Sequence, residues 1–458
     1  MPGQCDFDVV ILGGGIGGYP AAVSLSRRGL RVAIINDGLM GGECTNYGCI
    51  PTKALIKYFD DRSSHTLVHR DVWRNGVRFA REAAEKSRKG ICSVLNSYGA
   101  KVIYGRGVFS GEKNGCYQVK LGDSIVTGSK VLVATGSSPV TPGPLKGLSR
   151  VLDNRSILEL DEPPGSVLVL GAGAVGVEYS RILGNAGVRV ILVEMMKNIL
   201  PTMPRDLSRQ ARLGLEELGV EVHTSTTLEE ASLEDGRVKY RLSNGEEGFV
   251  DYIFNAAGRK PNTRGLGLED IGVELDEKGF IRVNSRMETS APGVYAVGDV
   301  VGPPLLAHKA YYQSLVAAEN IAGGNTVFDY PVPMVVFSYP EIVQVGYTWG
   351  EARKAGFNAG RKRVPLSILT RSFIEGWDKG YARIVYDNDT GVILGFEMAG
   401  PSASELAGLA SLLVSSKATV ETLAKTVFPH PTMSEVFREL EEAVRGEPIH
   451  TYTPPRKT

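Results

Sequence analysis

Cys44 and Cys49 stand five positions apart in the run Gly41-Gly42-Glu43-Cys44-Thr45-Asn46-Tyr47-Gly48-Cys49-Ile50-Pro51-Thr52-Lys53. Two closely spaced thiols wrapped in glycines and followed by a lysine point to redox chemistry, a dithiol that opens and closes by thiol–disulfide exchange. A helix returns to nearly the same face after four residues, so a slight distortion brings these sulfurs into disulfide geometry. The competing reading is two small core residues, since free cysteine is often buried. A second candidate lies near the C-terminus, in Phe428-Pro429-His430-Pro431-Thr432-Met433-Ser434-Glu435. A lone histidine is usually structural, but one flanked by prolines, with Glu435 ahead in the first turn of a helix, is placed to be an oriented base.

These residues need a scaffold of more than one core, because 458 residues predict three or four domains. Lysine plus arginine and aspartate plus glutamate both number 51, so net charge points to neither nucleic acid nor an anionic membrane. No run of 18 apolar residues predicts a membrane span. The N-terminus, with acids at Asp6 and Asp8 and no basic leader, does not read as a targeting segment. Five cysteines are too sparse for a secreted disulfide framework. The expectation is a cytoplasmic protein in which the close pair is catalytic and Cys5, Cys92 and Cys116 are bystanders.

The elements that position the pair begin just upstream. Val9-Val10-Ile11-Leu12 is an apolar strand, Gly13, Gly15 and Gly18 fill the places of G-x-G-x-x-G, and a helix opens with Pro20 in its first turn. Such a turn lets a diphosphate approach the backbone at a helix N-terminus. The next strand ends at Asn36, followed by Asp37, where an acid usually holds a ribose. The whole pattern then repeats. Ser166 to Leu170 leads into Gly171, Gly173 and Gly176, and the following strand ends at Glu194. Asn36 and Glu194 lie equally far beyond Gly13 and Gly171, 23 residues in each case. Two such units are far more specific than one. A carboxylate at Glu194 accepts bonds from a free 2′-hydroxyl and repels a 2′-phosphate, so the second unit should prefer NAD to NADP.

Three further strands close on glycine: Lys130 to Ala134 at Thr135-Gly136, Asp251 to Ala257 at Gly258, and Gly293 to Val297 at Gly298-Asp299. Asp299 could hold sugar or ribityl hydroxyls, or be a turn residue. Residues 54–98 read as helical, with charges on a solvated face. From about Pro331 the pattern changes to strands with turn residues, then helices around 403–415 and 434–446.

Taken together, these motifs resemble the pyridine nucleotide-disulfide oxidoreductases of the glutathione reductase type, along nearly the whole chain. Within that family they are most similar to the dihydrolipoamide dehydrogenases, on the strength of Leu306-Ala307-His308-Lys309-Ala310 after the Gly-Asp pair and of Glu194. The resemblance implies an α/β fold of two Rossmann-like dinucleotide-binding domains and a C-terminal α+β dimerisation domain. Its divisions would be 1–145 and 265–330 for the FAD-binding parts, 146–264 for the NAD-binding domain and 331–458 for the interface domain. FAD would be held by Gly13, Gly15, Gly18, Asn36 or Asp37, Lys53, Thr135, Gly136, Asp299 and Ala307. NAD would be held by Gly171, Gly173, Gly176, Glu194 and Gly258.

The resemblance also assigns roles. Cys44 would exchange with substrate and Cys49 would contact the flavin. Lys53 would pair with Glu178, and His430 would take the substrate proton with Glu435 fixing its tautomer. That histidine would serve the other subunit's disulfide, making the enzyme an obligate homodimer, and Pro431 would follow a cis bond. The implied reaction is oxidation of dihydrolipoamide by NAD, with a lipoyl group on a carrier domain of a 2-oxo acid dehydrogenase or glycine cleavage complex as partner. Two readings compete: a reductase of another small disulfide, and a flavin-bearing sensor without turnover. Two positions depart from the family pattern: Asn36 replaces an acid, and Ala174 stands where glutathione reductases carry an aromatic over the nicotinamide pocket.

Overall fold

A computed structural model describes residues 5–60, 66–377 and 379–451. Its first sheet orders the strands Lys101–Tyr104, Val32–Asn36, Phe7–Leu12, Ser124–Val133, Cys116–Leu121 and Val108–Lys113, and Val294–Ala296 pairs with Ser124–Val133. The four strands that begin this order run parallel. Phe7–Leu12 is buried on both faces, which is why it reads as an unbroken apolar run. Val9 and Ile11 pack against Ala21, Leu25 and Leu95 of the flanking helices, while Val10 and Leu12 pack on the other side against Phe109, Val119 and Val300. Each such side chain, fully buried, stabilises the fold by roughly 1.5–3 kcal/mol before cavity effects.

The second sheet repeats this plan in five parallel strands, in the order Glu221–Thr224, Arg189–Glu194, Ser166–Leu170, Tyr252–Asn255 and Val151–Leu152. An antiparallel three-stranded sheet of residues 228–250 lies beside it. The short antiparallel pair Ser137–Pro139 and Arg259–Pro261 forms the crossing between the two dinucleotide units. The third body is an antiparallel sheet in the order Met334–Val336, Ile342–Gly346, Ile393–Ala399, Tyr381–Asp387 and Ala359–Pro365. The helices Ala403–Ser415 and Val436–Arg445 share its core.

Two expectations from the sequence need correction. Residues 54–98 are not one helical stretch: one helix spans Cys49–Asp60 and another Arg70–Ser97, the second opened by His69, whose Nδ1 accepts from the Asp71 N–H. Nor are Cys5 and Cys116 bystanders. They are joined in a disulfide across a sequence separation of 111, leaving Cys44, Cys49 and Cys92 as free thiols. No helix among the described residues is long and apolar enough to cross a membrane.

Candidate active site

The two glycine-rich turns are built alike. Gly13 and Gly171 have φ of 103° and 98°, in the left-handed region that favours glycine. A Cβ on Gly18 would lie 1.9 Å from the Gly13 carbonyl oxygen, and one on Gly176 would lie 1.9 Å from that of Gly171. The middle glycines differ in kind. A Cβ on Gly173 would meet nothing within 4 Å, and one on Gly15 only the Gly42 Cα at 3.7 Å. The outer glycines are therefore demanded by the protein's own packing, while the middle ones line open space that a ligand backbone can enter.

Each turn leads into a helix, Tyr19–Arg27 or Ala174–Asn185, that has no side-chain cap and no acid in its first turn. First-turn amides left this way suit a diphosphate. At the strand ends, the Asn36 Oδ1 accepts from the Gly14 N–H at 2.8 Å, and the Glu194 Oε2 accepts from the Ala172 N–H at 2.8 Å. Asn36 thus does for the first turn what Glu194 does for the second. Its Nδ2 donates to the Gly38 carbonyl, and Asp37 beside it is exposed. These donor sets and open cradles fit two dinucleotides.

The redox loop is laid directly on the first cradle. Gly41 donates its N–H to the Gly14 carbonyl at 2.8 Å, and a Cβ on Gly42 would stand 2.7 Å from the Gly15 Cα. The spacing does not resolve as one distorted helix. Cys44 lies in the short helix Gly42–Asn46, the chain breaks at Tyr47-Gly48, and Cys49 opens the helix Cys49–Asp60. Gly48 is the close-approach residue, since a Cβ there would sit 3.3 Å from the Cys44 Cα. Asn46 locks the turn by donating to the carbonyls of Met40 and Gly42, both at 2.9 Å, while its own oxygen accepts from Arg88.

The two thiols are hydrogen-bonded to each other and titrate as a pair. The bond to Cys49, burial and the charge on Cys49 all push Cys44 up. Cys49 is held below the ordinary thiol range by the hydrogen bond from Cys44, opposed by burial and assisted by the Lys53 ammonium. The pair is thus biased, with the proton favoured on Cys44 and the charge on Cys49.

The helix Cys49–Asp60 packs along Ala174–Asn185 with three successive ties. Lys53 Nζ meets Glu178 Oε2 at 2.6 Å, the Thr52 hydroxyl donates to the Tyr179 hydroxyl at 3.4 Å, and Arg181 with Asn185 grips Asp60. Glu178 is 6% exposed and also accepts from the Phe337 N–H at 3.2 Å, while Lys53 lies 4.5 Å from the centre of the Phe337 ring.

Elsewhere, Asp299 accepts from the Ser137 hydroxyl at 2.6 Å, and the Thr135 hydroxyl donates to the Asn262 carbonyl at 2.9 Å. Gly136 and Gly258 both take positive φ where the chain crosses between the units. Ala307 is the first residue of the helix Ala307–Ile321, which also lacks a side-chain cap. Two positions on, the buried Lys309 donates to the Gly302 carbonyl; burial lowers it to about 8, with Asp299 opposing.

His430 precedes a cis proline, and its Nδ1 lies 3.1 and 3.2 Å from the two Glu435 oxygens. Burial raises Glu435, but the Thr432 N–H and His430 outweigh it and hold the carboxyl below its ordinary value. The imidazole itself is 69% exposed on the single chain, so the structure orients it without placing it against this chain's own thiols.

One group of residues escaped the sequence reading. Glu43, next to Cys44, accepts from Asn154 at 2.7 Å and from Arg155 Nε at 3.1 Å, with Arg259 3.8 Å away. Asn154 also donates to the Tyr47 carbonyl, and Arg155 lies 4.7 Å from the centre of the Tyr47 ring. The connection between the strands Val151–Leu152 and Ser166–Leu170 thus clasps both flanks of Cys44. The only local signal was an acid beside the thiol; its partners lie 111 or more residues away.

With this geometry in place, comparison with known proteins is informative. Residues 7–314 match the family described as pyridine nucleotide-disulphide oxidoreductase, and residues 332–441 match that family's dimerisation domain. The chain belongs to this family and is a flavoprotein disulfide oxidoreductase that uses FAD and NAD(H). It is 39% identical to a dihydrolipoyl dehydrogenase of Thermus scotoductus over 97% of this chain and 98% of that one. A dihydrolipoyl dehydrogenase of Geobacillus stearothermophilus is 33% identical, with the same coverage of both chains. Among solved structures, the HOCl-induced flavoprotein disulfide reductase RclA of Escherichia coli superposes with a TM-score of 0.87 at 27% identity, covering 95% of this chain and 100% of that one. LpdA of Mycobacterium tuberculosis gives 0.88 at 27% identity, covering 95% and 99%.

Proposed function

We propose that this enzyme oxidises dihydrolipoamide to lipoamide with NAD, using Cys44 and Cys49 as its redox pair and working as a homodimer in the cytoplasm. The observation that carries the proposal is the placing of the pair: Cys44 and Cys49 are hydrogen-bonded to each other across the break at Gly48, on the first glycine-rich cradle, with Lys53 tied to Glu178 beside them. The near-full-length likeness to two dihydrolipoyl dehydrogenases supports the substrate. The division into FAD-binding segments 1–145 and 265–330, an NAD-binding domain 146–264 and an interface domain 331–458 belongs to the same proposal. So does a carrier-borne lipoyl group as the substrate's source.

The half-reaction with substrate starts from the Cys44–Cys49 disulfide. His430, with Nδ1 held by Glu435, offers Nε2 to one substrate thiol and takes its proton. The resulting thiolate attacks the Cys44 sulfur, forming a mixed disulfide and releasing Cys49 as a thiolate next to Lys53. The second substrate thiol then attacks the substrate sulfur of that mixed disulfide. Its proton goes to Cys44, which leaves as a thiol, and lipoamide departs. Two electrons are left on the cysteine pair. The chemistry that bound FAD would supply is passage of that electron pair from the cysteines to NAD as hydride. Gly13, Gly15, Gly18, Asn36, Thr135, Gly136, Asp299 and Ala307 would hold the flavin cofactor, and Gly171, Gly173, Gly176, Glu194 and Gly258 the nicotinamide one.

The likeness to the RclA reductase favours a second reading, reduction of another small disulfide by NADH. Steady-state rates with lipoamide, glutathione disulfide and coenzyme A disulfide separate the two. Lipoamide should exceed the others in kcat/KM by at least tenfold; a preference for either alternative substrate overturns the proposal.

A further inference from the structure

Cys5 stands just ahead of the strand Phe7–Leu12 that carries the first glycine-rich turn, and Cys116 opens the strand Cys116–Leu121. These two strands lie on opposite sides of Ser124–Val133, and both Phe7 and Tyr117 pair with Gly128 of it. The disulfide, with Cα atoms 5.7 Å apart, therefore bridges the sheet across an intervening strand. The ring it closes contains the Gly13 turn, Cys44, Cys49 and Lys53. Non-covalent ties hold the same segment: Asp6 exchanges hydrogen bonds with Thr127, its N–H donating to the hydroxyl at 2.9 Å and its carboxylate accepting from the Thr127 N–H and hydroxyl, while Arg31 donates to the Asp6 carbonyl and the Asp8 carboxylate and the Ser129 hydroxyl donates to the Asp8 carbonyl.

We infer that Cys5–Cys116 is a structural cross-link that fastens the N-terminal strand to the flavin-domain sheet and stays closed while Cys44 and Cys49 cycle. Its formation removes two protons and two electrons from the two thiols. A low-molecular-weight disulfide takes the electrons by exchange through a mixed disulfide and leaves as two small thiols. Cys116 is 6% exposed and Cys5 is half-buried, so an incoming thiolate can reach the bond only from the Cys5 side. The link lies at the opposite end of the strand Phe7–Leu12 from the glycine-rich turn that carries the redox loop, which separates it from the Cys44–Cys49 pair even though the proposed substrate is itself a dithiol. Closing a ring this large removes much of the freedom of the unfolded chain, so the cross-link acts on stability rather than on turnover.

The test uses holoenzyme purified without reductant, divided between untreated protein and protein reduced anaerobically with NADH. Both are denatured in a thiol-alkylating reagent and mapped by peptide mass. Cys92 should be labelled in both samples and Cys44 with Cys49 only after NADH, with Cys5 and Cys116 recovered as one linked peptide throughout. In a Cys5→Ser/Cys116→Ser variant, Tm should fall by about 5 °C or more, with flavin content and moderate-temperature turnover within twofold of the parent. Labelled Cys5 and Cys116 in untreated protein, opening of the link by NADH, or an unchanged Tm would each overturn the inference. The peptide map decides the matter even if the variant does not fold.

Discussion

Replacing Lys53 by methionine removes one half of an ion pair whose other half cannot reach water. Glu178 Oε2 sits 2.6 Å from Lys53 Nζ, and the Glu178 side chain is 8% exposed against 33% for Lys53. After the substitution, Glu178 keeps one hydrogen bond, from the Phe337 N–H. Breaking a buried pair by removing one partner costs about 3–5 kcal/mol, and the partial exposure of Lys53 puts this case near 3. That is roughly a 100-fold change in the folding equilibrium.

The same substitution takes away the positive charge that lowers Cys49 and leaves the negative charge of Glu178, which raises it. The two effects separate in a double variant. Lys53→Met/Glu178→Gln should regain at least half of the lost stability in urea unfolding, because an amide needs no counter-ion. It should not regain the long-wavelength absorbance of the NADH-reduced holoenzyme at pH 7, which requires a Cys49 thiolate. A single variant within 1 kcal/mol of the parent, or a double variant with parental absorbance, would refute the reasoning.

Three other outcomes follow from the same geometry. Arg155→Met leaves the Glu43 carboxylate under-neutralised beside Cys44, so alkylation of the reduced enzyme by iodoacetamide should slow by about three- to tenfold at pH 7; Arg155→Met/Glu43→Gln should restore the rate. Glu435 is held below its ordinary value of 4.5, so its contribution to stability is present above about pH 4.5 and is lost as pH falls through the lower folded value. Glu435→Gln should therefore flatten the acid limb of a Tm-against-pH curve while lowering kcat more than tenfold, because Nδ1 of His430 then faces a neutral amide that stabilises the imidazolium far less than the carboxylate does. Glu194→Gln replaces a carboxylate with an amide at the second strand end, and the ratio of kcat/KM for NAD over NADP should fall by about tenfold.

What the sequence shows and what it hides divides along the range of the forces involved. The glycine-rich turns are legible because their requirement is local: φ near 100° at Gly13 and Gly171, and carbonyls that exclude any Cβ at Gly18 and Gly176. The thiol pair is legible because five residues of chain bring it together, although the break at Gly48 replaces the distorted helix that spacing alone suggests. Asn36 reads as a departure in sequence, yet its oxygen bonds the Gly14 amide as Glu194 bonds Ala172. A short amide or carboxylate can fill that place equally well.

The hidden features are those whose partners meet only through tertiary packing. Nothing in the order of residues announces that Asn154 and Arg155 grip Glu43, or that Cys5 reaches Cys116. The disulfide also shows where a compositional argument fails. Few cysteines exclude a disulfide-rich scaffold, but they do not exclude a single cross-link between two strands of one sheet. His430 is a third case: its orienting partner is five residues away and readable, whereas its exposure on the single chain is a property of the fold.

The most direct test of the central claim is the steady-state oxidation of dihydrolipoamide by NAD, measured on the parent enzyme and on Cys44→Ser at matched flavin content. The parent should turn over with NAD and at least tenfold less efficiently with NADP, while Cys44→Ser should retain its yellow flavin and lose lipoamide turnover. Parental turnover in Cys44→Ser, or a parent that oxidises no dihydrolipoamide with NAD, would contradict the account.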